Sequence, residues 1–396
     1  MTKKGNGAIA YTVSVVDVEK NEYSSRLFVL PEGSAEPLYV MDASLLTGFF
    51  WEGEELFIYT QKDETSVMSL FDYGKNSLTE LFKVDKIIEY AARATDGRWL
   101  FLCKDSLFEQ KEGFIVAEQL PLRKDGYGYA GDTCQRGYIF DNAALIPAAF
   151  ETIDACMPAS DPPVGRDGAA DASSDVVKPV PFEEGLKYPA ILFIDEAPDH
   201  EIQLMANNGY GVVRFTPKES TAKSHEEIME YLDETLSHCR WIDPDRLAVT
   251  GGSMANWVIT HTDRFKAAVS DCCCVNEVSD YFLSDTGFAT AEGVYGGTLW
   301  EDGVHEKMWD RSPIKYASFA KTPTLFIHGE DDFRCSAEQS LQMLAALIYH
   351  GVEARAVIFK GENHSLAFKG KPKNMLRRLK EILSWYEKHL KGGRHE

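Results

Sequence analysis

The sequence predicts an α/β-hydrolase fold, with a doubly wound and mostly parallel sheet, preceded by a small antiparallel β region. In the C-terminal half, short apolar runs alternate with segments of helical periodicity, which is typical of βαβ units. A glycine-rich turn also places Ser253 directly after one apolar run. Asp332 and His364 follow in the chain order that this fold uses for a catalytic serine, acid and histidine.

Composition sets the first limits on function. The chain has 396 residues, 44% of them hydrophobic, so it is long enough for two or three domains with real cores. Its formal net charge of -21 argues against nucleic acid and anionic membranes as partners, because phosphate would be repelled. The polar first seven residues show no signal-peptide pattern, and we expect a cytoplasmic protein.

The eight cysteines do not have the spacing of a metal site or of a secreted disulfide framework. Three of them are adjacent, Cys272, Cys273 and Cys274. We interpret them as reduced and mostly buried thiols, and we expect neither a metal nor a cofactor.

The N-terminal region, residues 1–150, is predicted to be a β-rich partial propeller. Short β-prone runs alternate with turn residues, and strands are expected over 9–16, 26–30, 56–60, 67–71, 99–103 and 114–118. A turn leading into a strand recurs at Trp51–Phe57 and Asp96–Phe101, at the period of propeller blades. Two or three blades cannot close a propeller, so an open sheet edge is expected, and with it a possible homo-oligomer.

Residues 151–180 are predicted to be a flexible linker, because Pro, Gly, Ala, Asp and Ser dominate there and little apolar area could be buried. The α/β-hydrolase domain is predicted to span 181–396. Its strands are expected over 188–194, 211–215, 247–250, 267–270, 324–328 and 354–359, with helices over 201–208, from 224, over 338–349 and over 374–390. The last helix is expected to pack Leu376 and four further apolar residues on the sheet, and to turn its lysines and arginines to solvent.

The candidate nucleophile lies on a strand-to-helix turn. Gly251 and Gly252 supply the small residues that a sharp elbow needs before Ser253. The usual elbow has a second glycine two residues after the serine, where this chain has Ala255. A Gly-Gly-Ser sequence alone is equally typical of an ordinary turn.

The later partners favour catalysis. Asp332 follows the apolar run 324–328, and His364 follows the strand predicted to end at Phe359. Both therefore lie at the carboxyl edge of the sheet, where an acid can orient an imidazole and the imidazole can reach a serine hydroxyl. We interpret the three residues as the location of a triad.

The same stretches resemble the acylaminoacyl-peptidase branch of the prolyl oligopeptidase serine peptidases. The likeness covers roughly 186–391 and lies in the motifs at 243–246, 262–269, 309–313, 328–335 and 361–372. The N-terminal region resembles the opening blades of that family's propeller more loosely. By this resemblance Ser253 is the nucleophile, Asp332 the orienting acid and His364 the general base, and the substrate is a short or N-acylated peptide.

Two departures from the family keep a second hypothesis open. The elbow is shorter by about one helical turn, so that Met254 follows the serine and its backbone N–H is the predicted oxyanion donor. The glycine pair of the family's oxyanion loop is replaced by a stretch that includes Asp195 and Glu196. A serine hydrolase is one hypothesis, and a pseudoenzyme with a binding or scaffold role is the other.

Overall fold

The computed structural model describes residues 2–4, 7–63, 65–94, 97–106, 123–126, 128–129, 133–141, 144–148, 176–194, 197–216 and 224–392. The chain divides into two compact units. The first comprises Met1–Glu118 and Tyr129–Gly168, and the second comprises Gln119–Gly128 and Ala169–Glu396. The predicted linker lies almost wholly outside the described residues, and the predicted boundaries at 150 and 180 stay predictions.

The first unit is built of antiparallel sheets, as predicted. One has the order β1 (Thr2–Lys4), β2 (Ile9–Asp17), β3 (Glu22–Leu30), β4 (Leu38–Asp42), and the next the order β5 (Leu46–Glu52), β6 (Glu55–Lys62), β7 (Thr65–Asp72), β8 (Ser77–Val84). The third combines β9 (Ile87–Arg93), β10 (Trp99–Ser106), β13 (Thr133–Asp141) and β14 (Ala144–Ala148), in the order β14-β13-β10-β9. The short strands β11 (Arg123–Lys124) and β12 (Gly128–Tyr129) form a two-stranded sheet of their own, and β11 belongs to the second unit.

Five of the six strands predicted in this region are present, and the sixth, over 114–118, lies outside the described residues. The sequence did not indicate β8, in which six of the eight residues are exposed and charged and polar side chains interrupt the apolar pattern. Phe82 anchors this strand by stacking on Phe140, with ring centroids 4.5 Å apart. A contact between residues so distant in sequence leaves no local signal.

The second unit contains a seven-stranded sheet of order β15-β17-β16-β18-β19-β20-β21, in which only the edge strand β15 is antiparallel to its neighbour. Its strands are β15 (Val176–Val177), β16 (Tyr188–Ile194), β17 (Gly211–Phe215), β18 (Ile242–Gly251), β19 (Ala267–Asp271), β20 (Thr324–Gly329) and β21 (Ala354–Phe359). This confirms the predicted doubly wound, mostly parallel architecture.

The helices of this unit include all four that the sequence predicted. They are α1 (Asp199–Asn207), α2 (Ser224–His238), α3 (Ser253–Ile259), α4 (Glu277–Leu283), α5 (Gly287–Tyr295), α6 (Val304–Arg311), α7 (Ala337–Tyr349), α8 (Leu366–Lys369) and α9 (Pro372–Leu390), with a 3₁₀ turn over Pro313–Phe319. Among the helices that the structure describes, none is long and apolar enough to cross a membrane.

Both faces of the sheet are covered by helices. Along β16, Ile191 and Phe193 pack with α1 and α9, whereas Leu192 and Ile194 pack with α2 and α3. Successive side chains of a strand point to opposite faces, so a strand buried on both sides is apolar throughout. That is why Tyr188–Ile194 was recognisable from sequence.

The expected orientation of α9 is wrong at two positions. Leu376, assigned to the packed face, is 42% exposed, whereas Arg378, assigned to solvent, lies among the buried residues. The Arg378 guanidinium binds Glu201 at 2.7 Å through Nη1 and Asp271 at 2.8 Å through Nε. A buried cation is tolerated when acids pair with it, and neither acid is near Arg378 in sequence.

Candidate active site

The elbow forms as predicted, with β18 ending at Gly251 and α3 beginning at Ser253. Gly251 has a φ of 152°, which L side chains rarely adopt, and a Cβ there would lie 2.8 Å from the Ile194 carbonyl oxygen. Only glycine fits this close approach of two strands. The turn therefore places the Ser253 side chain at the carboxyl edge of the sheet, where it is exposed.

The Ser253 hydroxyl is held by the segment that follows β19. Its Oγ accepts a hydrogen bond of 2.9 Å from the Cys274 backbone N–H. The buried Asn256 side chain ties the start of α3 down, donating to the Gly252 carbonyl at 3.1 Å and to Ser270 Oγ at 2.6 Å. Within the described residues, no hydrogen bond joins Ser253 to His364.

The acid and the histidine are brought together. His364 Nδ1 donates to Asp332 Oδ2 at 2.9 Å, with the imidazole 36% exposed and the carboxylate fully buried. Asp332 Oδ1 accepts the backbone N–H groups of Arg334 at 3.0 Å and Cys335 at 2.9 Å. This arrangement orients the ring so that Nε2 is left for a proton from a nucleophile.

Sequence reasoning missed a second histidine at the same carboxylate. His328, fully buried at the end of β20, places Nε2 3.2 Å from Asp332 Oδ2 and 2.6 Å from the Cys335 carbonyl oxygen. Its Nδ1 lies 2.7 Å from Ser340 Oγ. Since both neighbours of Nε2 are acceptors, that nitrogen carries a proton, and Asp332 receives four donors. The only local signal was the four-residue spacing of the two residues at the end of a strand.

These contacts shift the pKa values in opposite directions. Burial raises the pKa of Asp332, but the hydrogen bonds from His328 and His364 outweigh it and lower the pKa to about 2. Burial lowers the pKa of His364, whereas its hydrogen bond to Asp332 raises it above the ordinary value. The carboxylate is therefore ionised across the physiological range and favours the protonated imidazole that forms when His364 accepts a proton.

Asp125 supports the same two loops, although it precedes the predicted hydrolase domain in sequence. It belongs to the Gln119–Gly128 segment of the second unit, and its Oδ1 accepts the backbone N–H of Phe333 at 3.1 Å and of His364 at 3.3 Å. Its own N–H donates to Asp285 Oδ2 at 3.0 Å. Partial burial raises the pKa of this carboxyl group.

The three adjacent cysteines surround the site. Cys272, with a φ of 46°, follows β19, and its Sγ forms a group with side-chain ligand atoms of Asp332 and His364, all within 4.8 Å of one another. Such a group could hold a metal ion only by displacing donors that already satisfy Asp332. Burial raises the pKa of the Cys272 and Cys274 thiols well above the usual range, which makes both poor nucleophiles.

Met254 is the first residue after the nucleophile, in the first turn of α3, where backbone N–H groups have no partner within the helix. Its side chain packs against the core beneath the elbow. Such a free donor beside the serine suits an oxyanion. Asp195 and Glu196, the acidic replacements in the family's oxyanion loop, lie outside the described residues.

Part of the chain is similar in sequence to known peptidases. The profile of the prolyl oligopeptidase family matches residues 217–393. Over 242 residues the chain is 36% identical to an uncharacterized peptidase, YuxL, of Bacillus subtilis. This alignment covers 54% of this chain and 36% of that protein. It is 28% identical over 247 residues to dipeptidyl-peptidase 5 of Porphyromonas gingivalis, covering 54% of this chain and 36% of that protein. The chain thus spans about a third of the length of these relatives.

Solved structures agree on the fold. The acylaminoacyl peptidase of Pyrococcus horikoshii superposes with a TM-score of 0.78 at 15% identity, covering 100% of this chain and 96% of that one. An acylaminoacyl peptidase in complex with Z-Gly-Gly-Phe-chloromethyl ketone gives a TM-score of 0.76 at 16% identity, with the same coverage. These likenesses confirm the predicted combination of antiparallel sheets and an α/β-hydrolase sheet.

Proposed function

We propose that this chain is a serine peptidase acting on short or N-acylated peptides, because residues 217–393 match the prolyl oligopeptidase family. The part-buried hydrogen bond between Asp332 and His364, at the edge of the sheet that also carries the Ser253 elbow, supports the proposal most directly. An acid that orients an imidazole helps the imidazole to accept the proton of a serine hydroxyl.

In the proposed reaction, Ser253 Oγ attacks the peptide carbonyl carbon while His364 Nε2 accepts the hydroxyl proton. The carbonyl oxygen becomes an oxyanion that the Met254 N–H stabilises. The C–N bond then breaks, and the imidazolium gives its proton to the departing amine. A water molecule repeats the sequence on the acyl ester and releases the acid and free Ser253.

The Cys274 N–H bond to Ser253 Oγ is compatible with this sequence. Catalytic hydrogen bonds in ligand-free enzymes are often long or poorly aligned and tighten when substrate binds. The proposed reaction requires a rotation about the serine Cα–Cβ bond that releases the Cys274 contact and brings Oγ to the imidazole, and rotamers of an exposed side chain interconvert rapidly. The pseudoenzyme hypothesis finds no support among the relatives, which are named as peptidases.

Labelling by a fluorophosphonate probe tests the proposal directly. We expect the wild type to be labelled and Ser253→Ala to remain unlabelled, with a loss of peptide hydrolysis of about 10³-fold or more. Ser365→Ala serves as the matched control, because Ser365 lies beside the histidine and no role is proposed for its hydroxyl. Equal absence of labelling in the wild type and in Ser253→Ala would remove the peptidase function.

Two further properties belong to the proposal. We place the protein in the cytoplasm, since the cysteines among the described residues are free thiols, which is usual in a reducing compartment. We also propose self-association through an exposed β edge, because an unpaired edge can pair with another chain. Light scattering after size exclusion at micromolar concentration tests it, and a strict monomer would count against edge pairing.

A further inference from the structure

A cavity of about 530 Å³ opens beside the nucleophile. Ser253 and Met254 form one wall, and α4, α5 and α6 supply much of the rest. The volume is within the range of pockets that hold small ligands. Because the cavity adjoins the residue that would attack a peptide, the groups that line it contact the parts of a substrate next to the cleaved bond.

Two cations line this cavity, and each already has a carboxylate partner. Arg311 Nε lies 3.6 Å from Glu277 Oε1, and Glu277 also accepts a hydrogen bond from the Tyr295 hydroxyl. Arg334 Nε lies 2.7 Å from Asp285 Oδ1. These pairs leave one lining acid, Asp280, without a cationic partner among the described residues.

Asp280 lies close to the nucleophile through a shared neighbour. The Cys274 N–H binds Ser253 Oγ at 2.9 Å, and the Cys274 thiol hydrogen-bonds with the Asp280 side chain. The Asp280 Oδ1 atom is buried and has no hydrogen-bond partner in the part of the chain that the structure describes. Burial, followed by repulsion from Glu277, raises the pKa of Asp280 to about 7. A buried carboxylate oxygen without a hydrogen-bond partner is costly unless a ligand compensates it.

A second group beside it is also unsatisfied. Tyr281 is 1% exposed and lines the same cavity, and none of the described residues hydrogen-bonds to its hydroxyl. Buried tyrosine hydroxyls usually find a partner. Two residues that line one cavity, Asp280 and Tyr281, therefore each carry a buried oxygen able to accept a hydrogen bond.

We infer that this cavity binds a positively charged nitrogen of the substrate, with Asp280 as its counter-ion and the Tyr281 hydroxyl as a further acceptor. The nitrogen belongs either to a lysine or arginine side chain beside the cleaved bond or to a free peptide N-terminus. The inference rests on the proposed peptidase function. It narrows the substrate class from peptides in general to peptides that carry a positive charge at this point.

Fluorogenic substrates that differ in one charged group test the inference. Acetyl-lysine and acetyl-norleucine aminomethylcoumarin amides have side chains of similar length, with and without the amine. Leucine and acetyl-leucine amides compare a free N-terminus with a blocked one. We expect kcat/KM to favour the charged member of one pair at least tenfold. The pair that shows it identifies the source of the nitrogen.

Variants decide whether Asp280 is responsible. In Asp280→Asn the ratio of kcat/KM between the charged and neutral substrates is expected to fall close to one. Asp302→Asn removes the same charge from an exposed position outside the cavity and should keep the wild-type ratio. A neutral substrate preferred by the wild type, or a charge preference that survives in Asp280→Asn, would overturn the inference.

A binding measurement separates this inference from the proposed function. In Ser253→Ala, calorimetry should show acetyl-lysine amide or leucine amide binding about tenfold more tightly than its uncharged counterpart, and Asp280→Asn in that background should abolish the difference. Absence of turnover with charge-selective binding would contradict the peptidase and keep the cavity's assignment. Turnover without charge-selective binding would support the peptidase and contradict the assignment of the cavity.

Discussion

The two sides of the candidate site differ in how completely they are built. On the side of the acid and base, Asp332 is fully buried, receives four donors and holds His364 at 2.9 Å. On the elbow side, the exposed Ser253 is bound to the Cys274 N–H and not to the imidazole. The difference teaches that orienting an acid and a base needs only two well-anchored loops, whereas presenting a nucleophile depends on the length and register of a single turn.

Asp332→Asn should disrupt the acid–base side of the site and give the largest loss of activity. An amide in place of the carboxylate favours the wrong tautomer of His364, so kcat should fall by about 10⁴-fold. Steady-state kinetics on the best peptide substrate would measure it. Because His328 loses the same partner, unfolding should be measured in parallel. A loss of activity under tenfold in a folded variant would show that the acid–base pair does not drive catalysis.

Gly251→Ala should disrupt the elbow that carries Ser253. The new Cβ would meet the Ile194 carbonyl oxygen at a backbone angle that alanine avoids, so the free energy of unfolding should fall by about 3 kcal/mol. Denaturant unfolding would measure the change. Gly293→Ala is the control, since it lies in α5 with open space around the added carbon, and its stability should be unchanged or higher. Similar stability of the two variants would argue against the described elbow.

Asp125→Ala should sharpen the comparison by loosening the acid–base side of the site without replacing a residue of the triad. Its carboxylate accepts the N–H groups of Phe333 and His364, so its removal should misplace the imidazole and lower kcat/KM about tenfold, mostly through kcat. Asp125→Asn keeps an acceptor oxygen and should recover most of that loss. If both variants lose activity equally, the charge of Asp125 and not its hydrogen bonds would be responsible.

The pH profile should show the smallest effect. His364 must be neutral to accept a proton, so kcat/KM should rise with pH through its pKa. Because Asp332 raises that pKa, the acid limb should lie above the ordinary histidine value of about 6.5. In Asp125→Asn the limb should move slightly towards lower pH, since the Asp125 charge also raises the pKa of His364. An acid limb at or below 6.5 in the wild type would contradict this assignment.

Much of the hydrolase sheet could be predicted because its signals are local. Tyr188–Ile194 and Gly211–Phe215 coincide with the observed strands, since the buried positions of both form a short continuous apolar run. The positions of Ser253, Asp332 and His364 followed from the same reasoning, because residues after parallel strands share one edge of the sheet. This reasoning predicted the edge of the sheet, whereas the catalytic roles of the three residues stay predictions.

Other parts of the site depend on contacts that no window of sequence contains. The Asp125 carboxylate reaches His364 across 239 positions, and Arg378 reaches Glu201 across 177. An amphipathic pattern assigns a charged side chain to solvent, and only the arrival of distant acids makes its burial favourable.

The sequence by itself determined the alternation of strands and helices, the glycine-dependent elbow and the edge of the sheet that carries the chemistry, because backbone sterics and side-chain periodicity act over a few residues. Tertiary structure decided the hydrogen bonds around Asp332 and the contact of Ser253 with Cys274. It also left Asp280 without a cationic partner among the described residues. The physical reason is that the energy of a buried polar group depends on which partners the completed fold brings within about 3 Å of it.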